Sequence, residues 1–305
     1  MSQNNNRSGV FEASAARITH YGEKICRLAF TLSGEGAKAF ELASPGQFAQ
    51  FQVEGLALPS ELPEGLEDKA VRQPILRRPF SFLDVYRDGE DMIVEIMCDI
   101  IGTGTARLSA LNTGDKVSIL GPLGRGFEKP AEGRKVIGVA GGIGIPPVEH
   151  FLRQLCRDNP RQECFAFAGA RCKADMPIAS VQQGKDPAKE EYSFCRHFAA
   201  ATDDGSFGKN GLVTEAFESW FADSGLAGEE CEIAVCGPEP MLKAIAKTAH
   251  KLGIRTQVSL EKMMACGIGV CQSCVVPVKK GDGSEENKLC CKDGPVFDSR
   301  EVFPE

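Results

Sequence analysis

The chain has 305 residues, of which 42% are hydrophobic and 25% charged, with a formal net charge of −7. Such a length exceeds what one core usually holds, so two domains and a small appendage are expected. The acidic balance argues against nucleic acid and anionic membranes, which reward a basic face. No apolar run has spanning length, and the polar start MSQNNNRSGV has no apolar signal core, so a cytoplasmic setting is expected.

Up to about residue 131 the chain shows short β-rich runs: Ala15–Thr19, Gln47–Val53 and Met92–Cys98. Gly and Pro punctuators separate them, as at Ser44-Pro45-Gly46 and Gly121-Pro122-Leu123-Gly124. This pattern predicts a small antiparallel barrel. The stretch Leu56–Pro74 has three prolines and no clear period, and reads as a surface insertion. After it comes Arg77-Arg78-Pro79-Phe80-Ser81. An arginine there can pair with a diphosphate and a serine can bond a ring edge, although Arg-Pro at a strand edge is commonly structural. Gly102-Thr103-Gly104-Thr105 precedes a helical Ala106–Leu111 and is either an anion-binding turn or a simple helix cap.

From about 132 to 256, strands alternate with helices, which predicts a parallel sheet covered on both faces. Strand candidates are Lys135–Ala140, Cys164–Gly169, Arg196–Ala201 and Cys231–Cys236; Val148–Arg157 and Met241–Leu252 read as helices. Gly141-Gly142-Ile143-Gly144 and Cys236-Gly237-Pro238-Glu239 each end a strand and open a helix, where ligands of open α/β sheets sit. The first is not a G-x-G-x-x-G fingerprint. Cys236 taken alone is one more buried cysteine. From 257 to 305 the chain is Cys- and Gly-rich, shows little periodicity, and is too small for its own core without a metal centre.

Thirteen cysteines is an odd number, and without an export signal disulfides are set aside. Cys26, Cys98, Cys156, Cys164, Cys195 and Cys231 lie singly in apolar stretches and read as small hydrophobes. Packing does not account for Cys266-x4-Cys271-x2-Cys274 followed by Cys290 and Cys291. That spacing is the plant-type 2Fe–2S arrangement. Gly267 and Gly269 give the first interval the freedom to wrap a cluster. A structural zinc site prefers matched C-x2-4-C pairs and fits less well. Spacing leaves open which of Cys290 and Cys291 is the fourth ligand.

In order, RRPFS (77–81), GTGT (102–105), GPLGRGF (121–127), GGIGIPP (141–147), TDDGSFG (202–208), CGPEPM (236–241), SLEKMMACGIGVCQSC (259–274) and CKDGPVF (291–297) resemble the ferredoxin–NADP reductase superfamily. Within it the chain is similar to the electron transfer subunits of dihydroorotate dehydrogenase B. The resemblance implies an FAD-binding antiparallel barrel (1–131), an NAD-binding α/β domain (132–256) and a small 2Fe–2S subdomain (257–305). It implies that Arg78, Pro79, Phe80 and Ser81 hold FAD, that Gly104 and Thr105 meet its pyrophosphate, and that Met97, Cys98 and Asp99 line the flavin. Gly141, Gly142, Gly144, Cys236, Gly237 and Pro238 would frame NAD, with Cys236 near the nicotinamide. Asp203 and Asp204 stand where NADP users place Ser and Arg, so NAD is expected over NADP. The family pattern places the fourth cluster ligand directly before Lys-Asp-Gly-Pro, which selects Cys291 beside Cys266, Cys271 and Cys274.

The implied function is an NAD-linked oxidoreductase subunit in pyrimidine biosynthesis, taking electrons from an FMN-containing dihydroorotate dehydrogenase partner, as a heterotetramer. The alternatives are an NADH-dependent reductase for a ferredoxin, an oxygenase or a sulfur-metabolising partner, and, more distantly, a non-enzymatic zinc-binding protein. The segment 56–74 and Arg125 depart from the family pattern. The four histidines, His20, His150, His197 and His250, are scattered and read as structural.

Overall fold

The β-rich runs of the first third become seven strands: β1 (Gly9–Tyr21), β2 (Ile25–Leu32), β3 (Phe48–Phe51), β4 (Arg78–Ser81), β5 (Asp84–Asp88), β6 (Asp91–Asp99) and β7 (Lys116–Leu123). The structure is a computed structural model that describes residues 8–62, 65–67 and 72–304. The strands pair antiparallel in the order β4-β3-β7-β1-β2-β6-β5. Register shifts in β1 between Ala15 and Arg17, and in β3 between Phe48 and Gln50, add the local twist that curls the sheet into a half-barrel. Phe30, Phe40, Phe51 and Phe82 fill its interior, with Phe30 and Phe51 centred 5.0 Å apart. Strand β3 splits its side chains by period two. Ala49 and Phe51 enter the barrel core, whereas Phe48 joins the core shared with the C-terminal cysteines.

The second sheet contains β8 (Lys135–Gly141), β9 (Cys164–Ala170), β10 (His197–Thr202), β11 (Lys209–Asn210), β12 (Cys231–Cys236) and β13 (Arg255–Ser259), all parallel. Alternate residues of β8 feed two cores: Ile137 and Val139 face the helices Val213–Asp223 and Glu239–Lys251, while Val136 and Ala140 face the helix Ile145–Asp158. Its parallel strands run in the order β11-β10-β9-β8-β12-β13.

Four sequence readings change. The boundary at 256/257 falls inside β13, because the parallel sheet runs on to Ser259. The region after 257 is more regular than its composition suggested: β14 (Val275–Lys279) and β15 (Glu285–Leu289) form a hairpin, and β16 (Val296–Asp298) pairs antiparallel with β13. Strands of three to five residues are too short for a period to stand out in the sequence. The third concerns the insertion. Residues 63–64 and 68–71 lie outside the described residues, but the rest is anchored: Leu66 is buried against the barrel core, and buried Arg107 donates to the Leu56 carbonyl. The predicted helix Ala106–Leu111 begins earlier, as Thr103–Ser109. No helix among the described residues is long and apolar enough to cross a membrane.

A buried ionic contact fixes the two sheets to each other. Asp84 of β5 is 3% exposed and accepts from both terminal nitrogens of Arg157, at 2.9 and 2.7 Å. Arg153 lies 3.6 Å from the same carboxylate and His150 3.8 Å from it.

Candidate functional site

Strands β8 and β12 are neighbours, with Ala140 opposite Cys236. From them the chain order runs outward in both directions, so a crevice opens past their carboxyl ends. The turns at Gly141–Gly144 and Cys236–Pro238 form its floor. They pack so closely that a Cβ on Gly144 would lie 2.6 Å from the Cys236 carbonyl. Across the crevice stand β4 and the end of β6. A cavity of about 400 Å³ results, which Pro79, Phe80 and Ser81 line on the barrel side together with Met97, Cys98 and Asp99. Gly141, Gly142, Gly144, Cys236, Gly237 and Pro238 line its other side. Met97 and Cys98 are buried. Burial also pushes the Cys236 thiol up to about 12, which keeps it neutral.

Two further cavities share walls with this one. The first, about 490 Å³, is lined by Arg78 and by Gly102–Thr105, and meets the central cavity at Ile101 and Thr105. A Cβ on Gly104 would stand 2.9 Å from Arg78 Nε, so the Arg78 side chain lies against this turn. The Thr105 hydroxyl accepts from the N–H groups of Ile101 and Gly102, at 3.1 and 3.2 Å, and so serves its own turn. The second, about 390 Å³, is lined by Asp203, Arg171 and Asp175 and shares Asp99, Gly141, Gly142 and Pro238 with the central cavity. Asp204 is not in that wall. It accepts from Ser206 N at 2.9 Å and Ser206 Oγ at 2.6 Å, bonds that close its own turn and hold its carboxyl below the usual range. The three cavities make one groove, cationic at one end, apolar in the middle and acidic at the other. That chemistry suits a diphosphate, flat rings and a ribose hydroxyl.

The five C-terminal cysteines separate by direction. Cys271 N donates to Cys266 Sγ at 3.4 Å, and Cys291 N donates to Cys274 Sγ at 3.5 Å. Cys290 instead turns into the core and donates to the Leu260 carbonyl at 3.5 Å. Bonds from Ser273 and from Cys266 hold the exposed Cys271 thiol down at about 6, in the thiolate form that metals require. Among the described residues no three metal-ligating side chains close around a single ion; the cysteines pair through backbone N–H groups that donate to sulfur. Two pairs with backbone N–H groups aimed at sulfur fit a two-iron centre with four thiolates. The loop between them reverses at Gly267, Gly269 and Gln272, with φ of 71°, 84° and 59°.

Sequence reasoning missed Phe48, Arg171, Asp175 and Ser259 as wall residues. Arg171 could have been found, because it directly follows the carboxyl end of β9. Phe48 gave no such signal, since its exposure to the cavity depends on how β3 is placed between two cores.

Residues 261–303 match the iron–sulfur cluster binding domain of dihydroorotate dehydrogenase B, and residues 139–247 match the oxidoreductase NAD-binding domain. The dihydroorotate dehydrogenase B (NAD(+)) electron transfer subunit of Shouchella clausii is 34% identical over 281 residues, covering 92% of this chain and 94% of that protein. The subunit of the same name from Desulforamulus reducens is 35% identical over 264 residues, covering 86% and 87%. Among solved structures, an NADH-dependent reduced ferredoxin-NADP oxidoreductase superposes with a TM-score of 0.69 at 24% identity, covering 95% of this chain and 89% of that one. A ferredoxin NADP+ reductase from Neisseria gonorrhoeae with bound FAD and NADP gives 0.58 at 16% identity, covering 80% and 92%. These two share the fold.

Proposed function

The chain belongs to the family of dihydroorotate dehydrogenase B electron transfer subunits, and from that premise we propose that it relays electrons from an FMN-containing dihydroorotate dehydrogenase subunit to NAD+, as part of a heterotetramer. Its cofactors are a 2Fe–2S cluster, FAD and NAD. When bound, they supply one-electron transfer at the cluster, conversion between one- and two-electron chemistry at the flavin, and hydride acceptance at the nicotinamide.

The residues divide the work along the groove. Arg78 holds the FAD diphosphate, and Gly104 keeps space for its guanidinium. Pro79, Phe80 and Ser81 border the flavin, with the backbone of Met97, Cys98 and Asp99 behind it. The glycine turns at 141–144 and 237 allow a nicotinamide nucleotide to approach closely, and Asp203 offers an acceptor to a free ribose hydroxyl while repelling a 2′-phosphate. Cys236, neutral and buried, packs beside the nicotinamide without taking part in proton transfer. Cys266, Cys271, Cys274 and Cys291 are the cluster ligands. Functional units run from 1 to 131, from 132 to the end of β13, and from there to the C-terminus.

The observation that carries this reading is the shared wall of the central cavity. The barrel strand, the nucleotide turns and Ser259–Lys262, which lead into the cysteine loop, all line one space. The test is to purify the chain anaerobically with an FMN-type partner and measure dihydroorotate-dependent NAD+ reduction. Colour, flavin content and iron should accompany activity. A colourless protein with stoichiometric zinc would end the redox reading; NADH oxidation without any dihydroorotate activity would end the partner assignment. Arg78→Ala should reduce FAD occupancy about tenfold or more, the worth of one charge-assisted bond lost; unchanged flavin content would remove Arg78 from this role.

A further inference from the structure

Gln50 sits in β3 between two functional segments and belongs to neither by sequence. Its backbone pairs with Pro79 of β4. Its side chain is 1% exposed, and its Nε2 is among the buried polar atoms that have no hydrogen-bond partner among the described residues. An unpaired buried amide costs about 1–3 kcal/mol, so such a group in a strand interior needs an explanation.

Period-two alternation directs this side chain away from the barrel core that receives Ala49 and Phe51. It meets the cysteine loop. A Cβ built on Gly267, the residue after Cys266, would collide with Gln50 Nε2 and Cδ, so the amide fills the space beside the Gly267 backbone. Gly267 is therefore required twice, for its φ of 71° and for the space that the amide occupies. The donor with no partner thus lies at the edge of the loop that carries Cys266, and the reach from the β4 strand to that loop passes through this residue.

We propose that the Gln50 side-chain amide donates a hydrogen bond to sulfur at the Cys266 edge of the 2Fe–2S centre and raises its reduction potential. The inference rests on the cluster reading above. A donor to a cluster sulfur favours the reduced state, which carries one more negative charge, so it moves the potential upward. The buried amide finds its partner only when the centre is assembled, which accounts for the orphaned donor.

The experiment compares wild type with Gln50→Met, similar in size but without a donor, and Gln50→Glu, which places an acceptor there. Each is prepared anaerobically with its partner, and the cluster midpoint is read by EPR-monitored redox titration, with the flavin midpoint followed optically. Gln50→Met should shift the cluster midpoint to more negative values at unchanged iron and FAD content, and Gln50→Glu should shift it further. The flavin midpoint should stay in place. A cluster midpoint unchanged in Gln50→Met overturns the proposal while leaving the cluster reading intact. Loss of the cluster in both variants with FAD retained would make Gln50 a packing residue and also overturns it. A wild-type protein with no reducible centre removes the cluster reading itself.

Discussion

Cys290 and Cys291 are adjacent, both buried, and put to opposite uses. They open the short helix Cys290–Asp293, where successive side chains diverge by about 100° around the axis. The Cys290 thiol goes to the Leu260 carbonyl, while Cys291 meets the Cys274 sulfur through its N–H. Spacing alone identified the cysteine triplet at 266, 271 and 274, since a run with fixed intervals survives any fold. It did not separate the last two, because their difference lies in a helical turn that four residues are too short to announce. The expected outcome is that Cys291→Ser loses nearly all iron and labile sulfide, whereas Cys290→Ser retains them, its hydroxyl still able to donate to Leu260. Equal iron loss in both, measured on protein reconstituted in parallel, would contradict the assignment. Asp203 and Asp204 repeat the lesson on a smaller scale. The resemblance placed both in the nucleotide site; Asp203 lines the cavity, whereas Asp204 is held in an Asx-type turn with Ser206.

The helix Ile145–Asp158 shows what an element conceals. Its period and its place after a glycine turn were legible, but its burial of two titratable groups was not. Apolar periodicity marks the buried face and gives no weight to a Glu and His on it. Glu149 is fully enclosed, and burial outweighs its contact with Arg153, raising its carboxyl to about 7 from an ordinary 4.5. Burial has the opposite effect on neighbouring His150, which falls to about 4 from 6.5 despite the nearby Asp84. The two linkages oppose each other. An acid with a raised folded pKa contributes stability below its unfolded value, and this is lost as pH rises towards 7. A base with a depressed folded pKa contributes stability above its unfolded value, and this is lost as pH falls towards 4. Glu149→Gln removes only the first. The gap in thermal midpoint between this variant and wild type should therefore widen, in favour of the variant, from about pH 5 to 7, by roughly a few degrees, and level off above. Scanning calorimetry across that range checks it, and a pH-independent gap would show that Glu149 stays ionised throughout.

At the scale of the whole molecule, strand–helix alternation and the three composition regimes conveyed the architecture, because layer packing follows from hydrophobic period. The contact between the layers was invisible, since Asp84 and Arg157 are 73 residues apart and neither stands in a motif. Burial alone would raise the Asp84 carboxyl, but the bond to Arg157, with His150 and Arg153 nearby, holds it below its ordinary value. Replacing Asp84 with Asn should destabilise the protein by about 2–3 kcal/mol, between the value of a surface pair and that of a fully buried one. The barrel and the nucleotide sheet should then unfold in separate steps; a single shared transition of unchanged midpoint would show that this contact does not couple them.

The last strand gives the cluster region a second attachment. β16 pairs with β13, Leu260 N donates to the Pro295 carbonyl at 2.9 Å, and Pro295 bridges to Arg125 of the barrel. The segment that carries the cysteines therefore leaves one sheet edge and is sewn back onto the same edge. A carrier fastened at both ends cannot ferry charge by swinging between stations. Current through this protein must cross fixed gaps, as in a soldered circuit, and its rate is set by spacing and potential rather than by the tempo of a moving arm.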